Sequence, residues 1–422
     1  MLDFFAKLKK YNFWDADYPD LGLLRQNYLN RINDFIGNNL IKVLVGQRRT
    51  GKSYLLRQII LSLISKGVNP KNIFYINKEY TDFDFITNYT ELEDLILTYQ
   101  QELTPEGKIY LLIDEVQRIE GWERLVNSYS QNYIRPYEIF ISGSNSQLLS
   151  TELATLLSGR YIQFQILPFS YLEYISIKKA QNTKVSFLTY LQSGGLPELF
   201  HLPNDETKRH YLSAIKDTVL LHDIIQRYNI KDIRLLEDIF AFLVNNASNL
   251  ISINNIVKYF AGKNRKTNYE TVANYISYLQ NTFLIHQVDR FSIKGKDILA
   301  GTHKYYINDL AFKNYLYSGF EYGFGYMLEN IVYLQLLNAG YNVYTGFMRN
   351  KEIDFVATKG NKTIYIQVAY LLIDKSTIDR EYSELESIHD NYEKFVVSLD
   401  DMQLPDRNGI RHVLAWKINE IL

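Results

Sequence analysis

The sequence predicts an α/β protein of several domains, and three observations lead to this prediction. Short strands that are apolar on both faces alternate with amphipathic helical stretches over the first 170 residues, as in a parallel sheet covered on both sides. Helical periodicity dominates residues 171–234, and strands return towards the end of the chain. A chain of 422 residues also exceeds the usual length of one domain.

The first section contains four strand candidates and three helix candidates. The strands are Lys42–Val45, Ile73–Ile76, Ile109–Ile113 and Glu138–Ser142, and the helices are Tyr54–Ser65, Glu91–Tyr99 and Trp122–Asn132. The change of pattern near Pro168 predicts a first domain over residues 1–170, followed by a helical subdomain over 171–234.

The remaining elements predict two further domains, over residues 235–315 and 316–422. The first contains short helices and a hairpin, with strand candidates at Thr282–Phe291 and Lys304–Ile307. For the second we predict helices at Met327–Asn338 and Asp379–Ile388 and strands at Tyr341–Tyr344, Ile353–Ala357, Thr363–Ala369 and Lys394–Leu399.

The composition is that of an ordinary globular protein and excludes several classes. Hydrophobic residues make up 46% and charged residues 22%, which excludes a disordered chain. The net charge of −1 excludes a uniformly basic nucleic-acid coat, although not a local basic patch. Because there is no Cys, disulfides and thiolate metal sites are excluded and a reducing compartment fits. No apolar run approaches the ~20 residues of a membrane span, so we expect a cytoplasmic protein.

A phosphate-binding motif follows the first strand. The predicted cofactor-binding residues are Gly46, Gln47, Arg48, Arg49, Thr50, Gly51, Lys52, Ser53 and Tyr54. Gly46 and Gly51 let the backbone turn tightly, so that its N–H groups and the following helix N-terminus bind anionic oxygen. Lys52 reaches the β- and γ-phosphates, and the Ser53 hydroxyl ligates Mg²⁺. The side chains of Arg48 and Arg49 are expected to point to solvent.

Two carboxylates follow the third strand. Asp114 and Glu115 end the apolar run Ile109–Ile113, and the carboxyl ends of parallel strands meet at the edge beside the phosphate-binding loop. Asp114 is therefore predicted to hold Mg²⁺ through water, and Glu115 to orient and deprotonate an attacking water.

Two further residues are catalytic candidates. Asn145, or Ser144 beside it, follows the next apolar strand and is predicted to contact the γ-phosphate or its water; an ordinary strand-to-helix turn is the alternative. Arg160 is predicted to supply positive charge to the transition state, in cis or from a neighbouring subunit. An exposed surface arginine is the alternative for Arg160.

These motifs together resemble a known family. The chain is similar to the AAA-type P-loop ATPases of the prokaryotic STAND/AAA+ grouping, and most of all to the family that carries a C-terminal DUF4143 domain. The resemblance rests on the P-loop, Ile113–Gln117, Ser142–Asn145, Leu167–Ser170 and Gly194–Glu198. It implies ATP as the nucleotide, a P-loop NTPase αβα core and a helical lid, with Gly194–Glu198 on the lid side.

The middle domain carries a local positive charge. Residues 251–310 contain eight basic and four acidic residues, and helices followed by a hairpin suggest a winged helix. Thr267–Gln280 would then be the recognition-like helix and Lys294-Gly295-Lys296 the wing tip. Two interpretations remain open: contact with double-stranded DNA through its phosphates, or a protein-packing winged helix with a solvated basic face.

The last domain resembles the restriction-endonuclease-like fold. Metal-dependent nucleases of that fold carry an Asp on one strand and Glu-x-Lys on the next. Asp354 matches the Asp, but Gln367-Val368-Ala369 replaces Glu-x-Lys. Because a neutral amide weakens a Mg²⁺ site and the Lys is missing, we expect a degenerate binding or packing domain.

Nearby charged residues are the candidates to replace the missing groups. Glu329 and Glu352 are the candidate ligands, and Lys351 or Lys362 the candidate ammonium. Nuclease activity is therefore disfavoured.

The expected function is Mg²⁺-dependent ATP binding and hydrolysis, used as a conformational switch. A nucleotide-gated DNA-binding module and an ATP-dependent nuclease are the alternatives. The expected partners are ATP, double-stranded DNA through residues 251–310, and a protein partner or second copy of the chain.

Overall fold

The computed structural model describes residues 2–15, 18–145, 157, 159–318, 323–348 and 351–422. The chain divides into two compact units, Met1–Ile166 and Leu167–Leu422. In the described residues, no helix combines the length and the apolarity needed to cross a membrane.

The first unit contains a five-stranded sheet and its covering helices. Its helices are α1 (Leu2–Tyr11), α2 (Gln26–Asn33), α3 (Lys52–Ser65), α4 (Tyr89–Leu103) and α5 (Trp122–Ser130); its strands are β1 (Ile41–Val45), β2 (Ile73–Asn77), β3 (Ile109–Asp114), β4 (Tyr137–Gly143) and β5 (Tyr161–Gln165). The strand order is β2-β3-β4-β1-β5, and all pairs are parallel. The α/β fold class with a P-loop NTPase core is thus confirmed.

The local sequence explains most of these elements. The strands β1 and β2 are buried at every residue, because a central parallel strand is covered on both faces. Asn88 caps α4 in a capping box with Glu91, which satisfies N–H groups at both positions. We did not predict β5, because it is a half-buried edge strand with polar Gln163 and Gln165.

The second unit begins with helices and ends in a large mixed sheet. Its helices are α6 (Tyr171–Lys178), α7 (Lys184–Ser193), α8 (Asp205–Thr218), α9 (Gln226–Tyr228), α10 (Ile233–Asn245), α11 (Ile253–Gly262), α12 (Tyr269–Asn281), α13 (Phe324–Asn338) and α14 (Lys375–Glu386); its strands are β6 (Leu250–Ile251), β7 (Ile285–Ser292), β8 (Asp297–Ile307), β9 (Asn342–Met348), β10 (Lys351–Lys359), β11 (Lys362–Ala369), β12 (Glu393–Ser398) and β13 (Ile410–Leu414). The sheet order is β13-β12-β11-β10-β9-β7-β8-β6.

The hairpin expected to be a wing is part of this sheet. Strand β7 pairs with β8 on one side and, in parallel, with β9 on the other. One hydrophobic core runs from Tyr171 on α6 to Ile418 near the C-terminus. The boundaries expected at residues 170, 234 and 315 stay predictions; the division found here lies after Ile166.

Candidate active site

The phosphate-binding loop connects β1 to α3 and needs glycine at its first position. Gly46 has φ of 152°, and a Cβ atom there would lie 2.3 Å from the carbonyl oxygen of Ile166. No other residue fits without moving that backbone. At the other end of the loop, Gly51 is the N-cap of α3 and offers no capping side chain. The positive end of the helix dipole therefore faces the loop without a side chain in front of it.

Lys52 is buried at the mouth of this loop. Its side chain is 5% exposed, and Nζ donates to the carbonyl oxygens of Gly46 at 2.9 Å and Gln47 at 3.0 Å. Burial lowers the pKa of Lys52, while the negative charges of Glu115 and Asp114 oppose that shift. The acidic pair and the loop lysine are therefore brought together, as the sequence predicts for a P-loop site.

Asp114 and Ser53 form the candidate metal position. Asp114 is fully buried at the end of β3, and its carboxylate accepts hydrogen bonds from the hydroxyls of Ser53 and Ser142. Burial, and then the charge of Glu115, raises the pKa of Asp114 to about 6. A carboxylate and a hydroxyl are the hard oxygen ligands that suit Mg²⁺, which takes its remaining ligands from water and phosphate. No group of three or more metal-ligating side chains was found in the described residues.

Glu115 has a strained backbone and a fixed side chain. Its φ is 54°, in the left-handed region that costs a non-glycine residue about 1–3 kcal/mol. Its Oε2 accepts hydrogen bonds from Ser144 Oγ at 3.2 Å and from the Gln117 amide. Such strain persists only where the surroundings enforce it, so this geometry supports a positioned carboxylate.

The structure adds two residues that we did not predict. Asn77 is the buried last residue of β2, and its Nδ2 donates to Asp114 Oδ2 at 2.9 Å. Ser142, on β4, lies between the two acids: its Oγ donates to Asp114 and accepts the backbone N–H of Glu115 at 3.2 Å. In the sequence, each of these residues is recognisable only as a polar residue at the end of a buried strand. The strand order shows that β2 and β4 flank β3, and therefore that both residues lie beside Asp114.

Three other predicted site residues differ in exposure and backbone conformation. Asn145 is 2% exposed and follows β4, next to Ser144. Arg49 adopts φ of 70° inside the loop. Tyr54 is 49% exposed on α3, with the Arg57 guanidinium 4.4 Å from its ring centre.

Arg160 is not brought to the site within this chain. Its carbonyl accepts the N–H of Ile41, the first residue of β1, at 2.9 Å, whereas the loop follows the last residue of β1. At about 3.3 Å per residue, five strand residues separate the two edges by more than 10 Å. The cis role predicted for Arg160 is therefore not supported by its placement, because it lies at the opposite edge of the sheet.

The second unit places an ammonium beside Asp354, where Gln367-Val368-Ala369 provides none. Lys304 on β8 is 3% exposed. Its Nζ lies 2.7 Å from Glu329 Oε1, 2.7 Å from Glu352 Oε1 and 3.1 Å from Asp354 Oδ1. The predicted substitutes, Lys351 and Lys362, instead donate to Ser383 Oγ and to the Ile421 carbonyl. The folded sheet and helix α13 bring these residues together, and the sequence alone does not show this.

Gly194-Gly195 binds a buried carboxylate. Asp309 accepts the N–H of Gly195 at 2.8 Å and of Ala311 at 2.8 Å, and a Cβ at Gly194 would lie 2.0 Å from Asp309 Oδ1. Burial raises the pKa of Asp309 to about 6, although these hydrogen bonds oppose the shift. The Gly194–Glu198 motif therefore has a packing role within the second unit.

Two segments of the chain match known domain families. Residues 38–175 match the family of AAA domains, and residues 184–322 match a domain of unknown function, DUF8612. The expected DUF4143 domain is not confirmed. Most of the motifs behind that expectation lie inside the AAA domain, where they do not distinguish one accessory domain from another.

The chain is also similar to two proteins along most of its length. It is 34% identical over 400 residues to an uncharacterized protein of Haemophilus influenzae, covering 93% of this chain and 98% of that protein. It is 33% identical over 371 residues to the uncharacterized protein MJ1544 of Methanocaldococcus jannaschii, covering 82% and 78%. Among solved structures, the Walker-type ATPase PABY2304 of Pyrococcus abyssi aligns at 16% identity with a TM-score of 0.41, covering 72% of this chain and 98% of that one.

The loop, the strand order and the acidic edge define a class: residues 38–175 form an AAA domain of the P-loop ATPase type. The whole chain belongs to the same family as the Haemophilus influenzae and Methanocaldococcus jannaschii proteins.

Proposed function

We propose that this protein binds MgATP and hydrolyses it slowly, as a conformational switch. The observation that carries the proposal is the meeting of Lys52, the Ser53–Asp114 pair and Glu115 at one edge of the sheet. The close approach of Gly46 to Ile166 and the uncapped N-terminus of α3 fit a triphosphate in the loop. Bound Mg²⁺ would neutralise phosphate charge there.

The residues of the chain divide the work of hydrolysis. Lys52 leaves the loop carbonyls to bind the β- and γ-phosphates, while Ser53 directly, and Asp114 through water, would hold Mg²⁺. Glu115 takes a proton from a water whose oxygen bonds to the γ-phosphorus as the bond to the β–γ bridging oxygen breaks. The products are ADP and inorganic phosphate. Asn145 is proposed to orient the γ-phosphate or the water.

The test compares one variant of the proposed base with one variant of the loop lysine. Glu115→Gln should retain ATP affinity and lose hydrolysis, whereas Lys52→Ala should lose affinity. Glu120→Gln changes an exposed glutamate five residues along and serves as the matched control. Phosphate release and fluorescent-nucleotide binding measure both quantities. Equal turnover in Glu115→Gln and wild type would refute the role of Glu115.

For Arg160 we propose a role between subunits, in which it supplies positive charge to the ATP site of a neighbouring copy. Its position at the far edge of its own sheet leaves a neighbouring copy as the only site that it can complete. Mixing Arg160→Ala with Lys52→Ala should then restore part of the activity that each lacks alone. Activity that never exceeds the sum of the two would exclude a shared site.

DNA binding is the second candidate function. Five lysines of the 251–310 segment are exposed: Lys258, Lys263, Lys266, Lys294 and Lys296. However, Arg265 pairs with Asp232 and Asp238, and Lys304 is buried among carboxylates, which reduces the free charge. DNA that stimulates ATP turnover, with an affinity that falls steeply with salt, would support the role. Indifference to DNA would favour a protein partner.

Nuclease activity in the second unit remains disfavoured. The Lys304 ammonium is already surrounded by three carboxylates, and Gln367 and Ala369 replace the ionisable pair expected on β11. Supercoiled DNA should survive incubation with Mg²⁺ or Mn²⁺. Nicking that disappears in Asp354→Ala would overturn this view.

A further inference from the structure

A single carboxylate holds two guanidinium groups beside the nucleotide loop. Glu79 Oε1 lies 3.1 Å from Arg48 Nη1 and 3.4 Å from Arg118 Nη2. Arg48 is the third residue of the loop, and Arg118 ends the turn that follows Glu115. The three side chains, which we call the Glu79 cluster, therefore connect the phosphate-binding loop to the segment that carries the proposed base.

The backbone of this cluster is anchored to both acids of the site. The side chain of Asn77 connects Asp114 to the backbone of Glu79. Its Nδ2 donates to Asp114, and its Oδ1 accepts the backbone N–H of Glu79 at 2.8 Å. The N–H of Arg118 donates to the carbonyl of Glu115 at 3.2 Å. Both Glu79 and Arg48 are close enough to Lys52 to act on its pKa, Glu79 raising it and Arg48 lowering it. The cluster is thus part of the same edge of the sheet.

Charge and exposure make the cluster ready to exchange partners. Both guanidiniums share the same oxygen, Oε1 of Glu79. The side chains of Arg118 and Glu79 are 47% and 43% exposed, and that of Arg48 is 19% exposed. An ion pair as open as Arg118–Glu79 contributes little to stability. A terminal phosphate offers a guanidinium more charge and paired oxygens, which match its fork of donors. Moving Arg118 from Glu79 to phosphate therefore costs little, and Arg48 exchanges one charged oxygen partner for another.

We propose that Arg48 and Arg118 leave Glu79 for the terminal phosphate of bound ATP. Arg48, fixed in the loop, then distinguishes ATP from ADP. Arg118, which projects from the turn after Glu115, neutralises the charge that develops on the transferred phosphoryl group. No proton moves, because a guanidinium stays charged throughout. The chain would thereby supply in cis the positive charge that the sequence suggested for Arg160.

This inference rests on the proposed function, so its first readout does not require hydrolysis. In Glu115→Gln protein, the ratio of ATP to ADP affinity should fall about tenfold or more when Arg48 is changed to Ala. Glu79→Gln removes the competing carboxylate and should strengthen ATP binding several-fold, again measured against ADP. Equal losses for ATP and ADP in Arg48→Ala would overturn the role of Arg48. Weaker ATP binding in Glu79→Gln would overturn the release step.

The second readout separates binding from turnover. Arg118→Ala should lower kcat about 100-fold or more and leave the ATP affinity within about threefold. Arg118→Lys should recover part of the loss, and added guanidinium ion should partly rescue Arg118→Ala but not Glu115→Gln. Arg124→Ala, on the exposed face of α5, is the matched control. A kcat unchanged in Arg118→Ala, with wild type active, would overturn the catalytic role while leaving the ATPase assignment intact.

Discussion

At the scale of single residues, the second unit contains a buried lysine ammonium surrounded by carboxylates. Lys304 has three N–H donors and three carboxylate partners, so its burial is compensated. Tyr306 also donates to Glu329, at 2.7 Å. Burial and the charge of Asp354 raise the pKa of Glu329 to about 8, although Lys304 lowers it. The cluster therefore depends on one ammonium.

Removing that ammonium should destabilise the second unit strongly. Lys304→Met keeps the approximate volume but leaves the carboxylates of Glu352 and Asp354 without their counter-ion, whereas Glu329, with a pKa of about 8, is largely protonated at pH 7. Breaking a buried ion pair in this way costs about 3–5 kcal/mol, which urea denaturation at pH 7 would measure. Lys296→Met, in the exposed turn of the same hairpin, should cost under about 0.5 kcal/mol. A loss under about 1 kcal/mol for Lys304→Met would mean that the carboxylates are not charged in the folded protein.

At the scale of elements, long-range contacts decide where motifs act. Asp309 follows β8, and the glycine pair that it binds follows α7, 114 residues earlier in the chain. Its carboxyl is 2% exposed, and its pKa is raised from an ordinary value of 3.8 to about 6. The folded protein therefore holds this proton more tightly than the unfolded chain does.

The proton held by Asp309 makes the stability of the folded protein depend on pH. Because the pKa of Asp309 is raised on folding, its contribution is fully present below about pH 4 and is lost as the pH rises through about 6, amounting to about 3 kcal/mol. Asp309→Asn should lack this slope, so its stability gap from wild type should narrow between pH 4 and pH 7. Asp297→Asn, exposed at the start of β8, should keep the wild-type slope. Parallel curves for Asp309→Asn and wild type would contradict the assignment.

At the scale of the whole molecule, nucleotide binding should stabilise the first unit more than the second. Each unit has a hydrophobic core of its own, one around Leu55 and Phe140 and the other around Leu236 and Phe355. A ligand that binds only the folded first unit stabilises that unit by about 2.7 kcal/mol at 100 times its Kd.

Hydrogen exchange would locate this stabilisation. A non-hydrolysable ATP analogue with Mg²⁺ should increase protection in residues 41–77 and 109–145, and Lys52→Ala should abolish the effect. Protection that changes only beyond residue 166 would place the nucleotide elsewhere and contradict the P-loop assignment.

The sequence by itself determined the phosphate loop, the acidic pair and the α/β core, because each depends on local spacing: a strand, a turn of fixed residue types and a helix. Lys52, Ser53, Asp114 and Glu115 could be chosen in this way, and the expected strands of the first unit recur within one or two residues. The edge strand β5 could not be predicted, because its alternating polar residues resemble those of a surface segment.

Only the tertiary structure decided which distant residues meet. The order β2-β3-β4-β1-β5 places Asn77 and Ser142 on either side of Asp114 and sends Arg160 to the opposite edge. The folded second unit brings Lys304 on β8 within 3.1 Å of Asp354 on β10, although β7 and β9 lie between these strands in the sheet. Strand order and register depend on the packing of the entire sheet, whereas a motif records only the few neighbours that each residue has along the chain.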